Sequence, residues 1–334
     1  MLVKNFSALI VEETEPKKFS MKVGTRSVED LPAGDLLVKV YYSSLNFKDA
    51  LSATGQFGIT KNYPHTPGID AAGEVIESTD GAYKPGDQVI VTSYDLGMDT
   101  AGGFGQYIRV PAKWVVPLPD GLSLRDSMVL GTAGITAGLM VWKLIRNGIK
   151  PKDGEILVTG ATGGVGSIAV AILAKAGYRV IASTGKASEK DYLLSLGAAG
   201  VIGREEVLTG VDQPLMKERW AGVVDVVGGD ILSAAIKSTC YDGTVTCCGL
   251  AGSTDLPITV LPFILRGVSL LGIDSVQCPM EPRLVVWEKL ASEWKLGNLD
   301  IIGKECTLQN LEKEIHAILK GGVRGRIVVN LLKS

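Results

Sequence analysis

Ile156-Leu157-Val158-Thr159-Gly160-Ala161-Thr162-Gly163-Gly164-Val165-Gly166 is an apolar β run that breaks into a glycine-rich turn. The residues after it keep a helical period to Ala176, and Gly177 ends the segment. Strand, glycine turn and helix in that order let backbone come close to a pyrophosphate. First-turn N–H groups then face the anion, where free donors and the helix dipole favour negative charge. Gly163 and Gly166 hold the second and third places of a GxGxxG pattern, and Ala161 takes the first. A glycine turn alone also serves ordinary strand-to-helix geometry, so its context decides. Six apolar runs, Glu155 to Thr159, Tyr178 to Ala182, Ala199 to Ile202, Gly222 to Val227, Gly243 to Cys248 and Val268 to Ile273, alternate with segments of helical period. That is the pattern of a doubly wound parallel sheet, a complete α/β dinucleotide-binding (Rossmann) fold.

Moving outward, the end of the second run is where an Asp or Glu would bond the ribose 2′-hydroxyl of NAD. The stretch reads Ala182-Ser183-Thr184-Gly185-Lys186-Ala187-Ser188, with hydroxyls and an ammonium and no carboxylate. Such a set suits a 2′-phosphate, so NADPH is the expected cofactor. Arg204, just past the third run, is a second candidate phosphate partner by position.

The first third of the chain changes character. Leu36 to Ser43, Ala71 to Ile76, Gln88 to Thr92 and Tyr107 to Val110 read as strands separated by Gly, Pro and Asp, which indicates a β-rich domain. The tail from about Glu281 is helical and ends in a strand, Gly325 to Val329, with no helix after it, so the chain is expected to return to the first domain. The expected division is 1–126 with 281–334 for the β-rich domain and 127–280 for the nucleotide domain. Balanced charge, 34 basic against 36 acidic residues, gives no field for nucleic acid or an anionic membrane. The apolar run from Val129 to Trp142, broken by Gly131, Gly134 and Gly138, is too short to span a bilayer and reads as a buried helix. Five cysteines without a CxxC pair suit a reduced compartment, and Met1 to Asn5 carry no secretory signature. A cytoplasmic protein with a small-molecule substrate follows as the expectation.

Further motifs complete the picture: Ser43-Ser44-Leu45-Asn46-Phe47-Lys48-Asp49-Ala50, Pro67-Gly68-Ile69-Asp70-Ala71-Ala72-Gly73, Pro85-Gly86-Asp87-Gln88-Val89, Gly131 to Ala137 and Gly249-Leu250-Ala251-Gly252. With the glycine turn, they make the chain resemble the medium-chain dehydrogenase/reductase family over essentially its whole length. Pro262 to Arg266 and Gly272 to Val276 narrow the resemblance to the zinc-independent branch of acrylyl-CoA reductases and YhdH-type quinone oxidoreductases. The resemblance implies a GroES-like catalytic domain beside the Rossmann domain, and a homodimer paired through the last sheet strand. It also implies cofactor contacts at Thr162, Gly163, Gly164, Val165 and Gly166 for the pyrophosphate. Thr184, Lys186 and Arg204 would serve the adenosine phosphate, and Leu250, Ile264 and Ser275 the nicotinamide side. Zinc relatives carry Gly-His-Glu where this chain has Gly68-Ile69-Asp70, and the structural cysteine cluster is missing, so no metal site is expected.

Without a metal, the chemistry left is hydride addition to an activated acceptor: an enoyl thioester, an enone or a quinone. The oxyanion so formed needs hydrogen-bond donors, and Asn46 and Lys48 are the first candidates. Asp49 would orient Lys48 or cap a helix, and Phe47 stands where many relatives have Tyr, so it would pack against substrate or nicotinamide. Tyr63, Tyr94 and water stand as alternative proton donors. Arg324 and Arg326 would meet a CoA phosphate or pair with surface carboxylates, His65 reads as a loop residue, and Cys247 and Cys248 as core. The favoured activity is NADPH-dependent reduction of a short enoyl-CoA of the acrylyl-CoA type. Quinone reduction is the alternative, and a non-catalytic NADPH-binding protein is the reading from another class.

Overall fold

The structure is a computed structural model that describes residues 4–56 and 58–333; the Met1 to Val3 part of the N-terminal reading lies outside the described residues. The chain divides into two compact units. The first comprises residues 1–132, 276–284 and 298–334, and the second residues 133–275 and 285–297.

The second unit is the doubly wound sheet. Its strands are Glu155–Val158, Arg179–Ser183, Gly200–Ile202, Trp220–Asp225, Thr239–Cys247 and Ser269–Gly272. All neighbours are parallel, and in order of appearance they lie 3-2-1-4-5-6. This is the nucleotide-binding order, with its switch point at the first strand, beside the glycine turn. Leu157, Val223, Val224 and Val245 are fully buried, as central parallel strands covered on both faces require.

The first unit holds a seven-stranded sheet and a separate hairpin. In the sheet, Gly303–Cys306, Arg326–Asn330, Leu36–Leu45, Asp70–Ser78, Gln88–Thr92 and Val115–Pro117 follow one another, and Tyr107–Val110 also pairs with Leu36–Leu45. The tail strand therefore does return, antiparallel to Leu36–Leu45 with Ile327 opposite Leu45. The hairpin, Asn5–Glu15 with Lys18–Ser27, was not expected from the sequence.

The apolar run near Val129 lies in a longer helix than its own length suggested. Helix Leu124–Arg146 has 23 residues and, by length and composition, is the one helix among the described residues able to cross a bilayer. Most of that helix is buried inside the protein, as the sequence implied. Of the three glycines, only Gly131 departs from helical backbone, with φ 51° and ψ −152°, and it kinks the helix.

Candidate functional site

In the nucleotide unit, the first strand ends in a turn built on Gly160, whose φ of 55° favours glycine. Ala161 N–H donates to Ser183 O at 3.0 Å, tying the turn to the end of the second strand. The helix Gly164–Lys175 opens from Gly163 with no side chain capping its first turn. Gly164 and Val165 are half-buried there, and first-turn N–H groups without an intrahelical partner are donors suited to an anion. Any Cβ on Gly166 would run into the carbonyl of Gly160, so glycine alone lets helix and turn approach so closely. A dinucleotide pyrophosphate fits this cradle.

Deeper pins hold the surrounding turns. Thr159 Oγ1 donates to Asp225 Oδ1 at 2.7 Å and accepts from Val226 N. Asp225 also accepts from the N–H groups of Val227 and Gly228. Burial nonetheless pushes its carboxyl above the ordinary range, against those three hydrogen bonds. Thr162 and Thr184 are buried, with their hydroxyl oxygens 3.3 Å apart. Lys186 is half-buried and Arg204 exposed, and both stand beside the end of the second strand. Leu250 is 65% exposed and Ile264 68%, while Ser275 is buried and accepts a hydrogen bond from Thr136 Oγ1 at 2.8 Å. A shallow depression of about 380 Å³ is lined by Cys247, Cys248, Gly249, Gly272, Ile273 and Asp274. Both cysteines are half-buried at this opening, and Cys247 packs against the core of the unit. Burial pushes the Cys248 thiol up to about 12 and Cys247 also upward, so neither is a reactive thiolate.

The β-rich unit contains a buried polar cluster that the sequence did not announce. Asp70 is fully buried. Its carboxylate accepts from Ser44 Oγ at 2.6 Å, Asn46 Nδ2 at 2.8 Å, Thr132 Oγ1 at 2.6 Å and Thr132 N at 3.0 Å. The kink at Gly131 is what aims the Thr132 N–H at it; a Cβ on Gly131 would collide with Asp70 and Ser44. Arg326 lies 3.5 Å from Asp70 and donates to Ser44 Oγ, Asn46 Oδ1, Leu45 O and Val129 O. It is 4% exposed, which corrects both readings made for it, a CoA phosphate contact and a surface ion pair. Arg324 is exposed.

Asn46 therefore spans the cluster. Its Nδ2 hydrogens go to Asp70 and to Ser44 O at 3.3 Å, and its Oδ1 receives Arg326. No donor is left for a substrate oxygen, so the amide acts as a brace for the residues that follow it. Asn46 caps the helix Phe47–Ala53, and Asp49 accepts from Asn46 N at 2.7 Å and from Ile69 N at 2.8 Å. Of the two roles considered for Asp49, capping is the one observed; among the described residues it makes no ion pair with Lys48. Desolvation, and next the neighbouring Asp70 charge, push the Asp49 carboxyl up to about 7, against the pull of those N–H groups. Phe47 is 51% exposed. Lys48 is half-buried and has no ion pair among the described residues.

Other candidates are engaged. Tyr63 donates its hydroxyl to Ser52 O at 2.6 Å. Tyr94 donates to Cys278 O and stacks on Trp114, and Arg283 also lies over its ring, 4.5 Å from the centre. His65 is buried against Gly97 O, and burial lowers its imidazolium pKa. No group of three or more His, Cys, Asp or Glu able to hold a metal occurs among the described residues.

Comparison with known proteins places these two units in a wider set. Residues 32–120 match the alcohol dehydrogenase GroES-like domain, and residues 164–292 match the domain described as zinc-binding dehydrogenase. The chain is 48% identical over 327 residues to the Bacillus subtilis protein named "Putative quinone oxidoreductase YhfP", covering 98% of this chain and 99% of that one. It is 46% identical over 327 residues to acrylyl-CoA reductase AcuI of Ruegeria pomeroyi, with the same coverage of each. The solved structure of YhfP, with NAD bound, superposes with a TM-score of 0.95, covering 98% of this chain and 100% of that one. The yhdH oxidoreductase of Salmonella enterica, solved in complex with NADP, gives 0.94 at 43% identity, covering 97% and 99%.

Proposed function

Because this chain belongs to the medium-chain dehydrogenase/reductase family, in the branch of acrylyl-CoA reductases and YhdH-type quinone oxidoreductases, we propose that it is an NADPH-dependent oxidoreductase that reduces the activated C=C of a short enoyl-CoA without a metal. For the acceptor, the carrying observation is the full-length likeness to an acrylyl-CoA reductase. For the cofactor, it is the end of the second strand, where Thr184, Lys186 and Arg204 stand in place of a carboxylate. Relatives solved with NADP and with NAD make that choice a property to be measured on this chain.

The residues put forward to hold the cofactor are Thr162, Gly163, Gly164, Val165 and Gly166 at the pyrophosphate and Thr184, Lys186 and Arg204 at the adenosine phosphate. Leu250, Ile264 and Ser275 serve the nicotinamide side. When bound, NADPH supplies the hydride. Conjugation of the alkene to the thioester places the resulting charge on the carbonyl oxygen, so modest donors suffice. Lys48 is the donor put forward for that oxygen, because the hydrogens of Asn46 are held within the buried cluster. Asn46 and Asp49 fix the turn that presents Lys48, and Phe47 offers an exposed aromatic face to the acyl chain. A proton from water at the α carbon completes the balance.

One steady-state panel of acrylyl-CoA, crotonyl-CoA, simple enones and quinones, run with NADPH and with NADH, tests the reading. The expected result is the highest kcat/KM for acrylyl-CoA with NADPH. A quinone outperforming every enoyl-CoA overturns the acceptor, and equal kcat/KM for the two cofactors overturns the phosphate site. Lys48→Met is expected to lower kcat by about 10²–10³ with little change in NADPH binding. Turnover is expected to survive prolonged chelation, with no stoichiometric zinc by elemental analysis.

A further inference from the structure

We propose that Gly185 is a positioning residue for cofactor preference: its bare Cα seats the Arg204 guanidinium where the adenosine phosphate of NADPH would be read. The inference deepens the NADPH reading and rests on it. Strand Arg179–Ser183 runs parallel to Gly200–Ile202, with Ser183 opposite Ile202. The pairing continues one residue further, as Thr184 N–H donates to Ile202 O at 3.1 Å. Thr184 Oγ1 then accepts the Lys186 N–H at 3.0 Å, closing a tight turn around Gly185. On the neighbouring strand the chain bends at Gly203 into the short helix Arg204–Leu208. Gly185 and Arg204 are thus brought opposite each other by main-chain pairing alone.

The space between them accounts for the glycine. A Cβ on Gly185 would lie 2.8 Å from both Cζ and Nε of Arg204 and 3.2 Å from Nη2. Gly185 is not among the residues with positive φ, so its backbone is one that alanine adopts without strain. Turn geometry therefore does not demand glycine here; room for the guanidinium does. Glu205 and Glu206 follow directly, yet Glu206 pairs with Arg219, and Arg204 has no ion pair among the described residues. An unneutralised planar guanidinium that lies close to Gly185 keeps its donors for a phosphate.

Gly185→Ala tests this cleanly, because the atoms that must yield belong to the far end of a flexible side chain and the fold is not at stake. Gly185→Ala, Arg204→Ala and the double variant are compared by calorimetric binding of adenosine 2′,5′-bisphosphate and of 5′-AMP to protein free of cofactor. KM and kcat with NADPH and NADH provide the second readout. Arg204→Ala should weaken the bisphosphate roughly tenfold or more and Gly185→Ala about threefold to tenfold, with 5′-AMP binding little changed in both. The double variant should be no worse than Arg204→Ala, since both act through one group. If Arg204→Ala loses bisphosphate affinity and Gly185→Ala does not, the seat is refuted and the phosphate site stands. If Gly185→Ala weakens 5′-AMP equally, the substitution deforms the turn and the seat is refuted. If Arg204→Ala changes nothing, the phosphate role of Arg204 falls and takes this inference with it.

Discussion

Arg326 and Asp70 are separated by most of the chain, and each reads differently alone than together. Asp70 stood in a motif of the resemblance, and Arg326 looked like a tail residue free to meet phosphate or solvent. The hydrogen bonds that join them through Ser44 and Asn46 depend on strands from opposite ends of the sequence, and no local pattern carries such a pairing. Arg326→Met leaves Asp70 buried without its counter-charge and should cost roughly 3–5 kcal/mol of stability in urea unfolding. A loss below about 1 kcal/mol would show that the cluster tolerates an unbalanced carboxylate. Asp49 gives a pH dependence of definite sign. Its carboxyl titrates near 3.8 unfolded and about 7 folded, so between those values only the folded state holds the proton. Its contribution to stability is present in full below pH 3.8 and is lost as pH rises toward about 7. Unfolding free energies from pH 4 to 8 should show this fall in wild type and a flatter profile in Asp49→Asn; parallel profiles would refute the assignment.

At the scale of elements, legibility followed the strength of local signals. The six parallel strands centre on apolar runs, most of them with glycine close to an end, and each appeared within a few residues of its expected place. The N-terminal hairpin carried no such cue. Its outer half, Glu12-Glu13-Thr14-Glu15-Pro16-Lys17-Lys18, reads as a solvated charged loop. Its two-residue turn puts Lys17 at φ 63°, where a hairpin signal would have Gly or Asn. The kink in helix Leu124–Arg146 was hidden for the opposite reason, since three glycines shared the run and only one bends it. Gly131→Ala should lower stability by more than about 2 kcal/mol, from a strained φ together with a collision at Asp70. A variant as stable as wild type would mean that the kink is not required to bring Thr132 to the carboxylate.

For the whole molecule, we propose that two copies associate through the edge strand Ser269–Gly272. Among the described residues only one flank of this strand is paired, with Thr239–Cys247. Tyr241, 74% exposed, and Leu265, 57% exposed, lie on neighbouring elements and would be covered. Light scattering at micromolar concentration should give twice the chain mass, and a monomer would refute the proposal. The inward position of Arg326–Asn330, between Gly303–Cys306 and Leu36–Leu45, bears on how the protein is made. Arg326 bonds Leu45, 281 residues earlier. At ribosomal speed that separation is a delay on the order of a quarter of a minute to a minute. Through it the early strands leave the exit tunnel with their neighbour unsynthesised, while the nucleotide unit, nearly contiguous in sequence, has its whole sheet in hand. Nascent chains arrested just short of Arg326 should therefore yield to limited proteolysis a resistant core from the nucleotide unit and a digestible first 132 residues. In vectorial synthesis the unit translated first is the one completed last, and its unpaired strands are what a chaperone would meet.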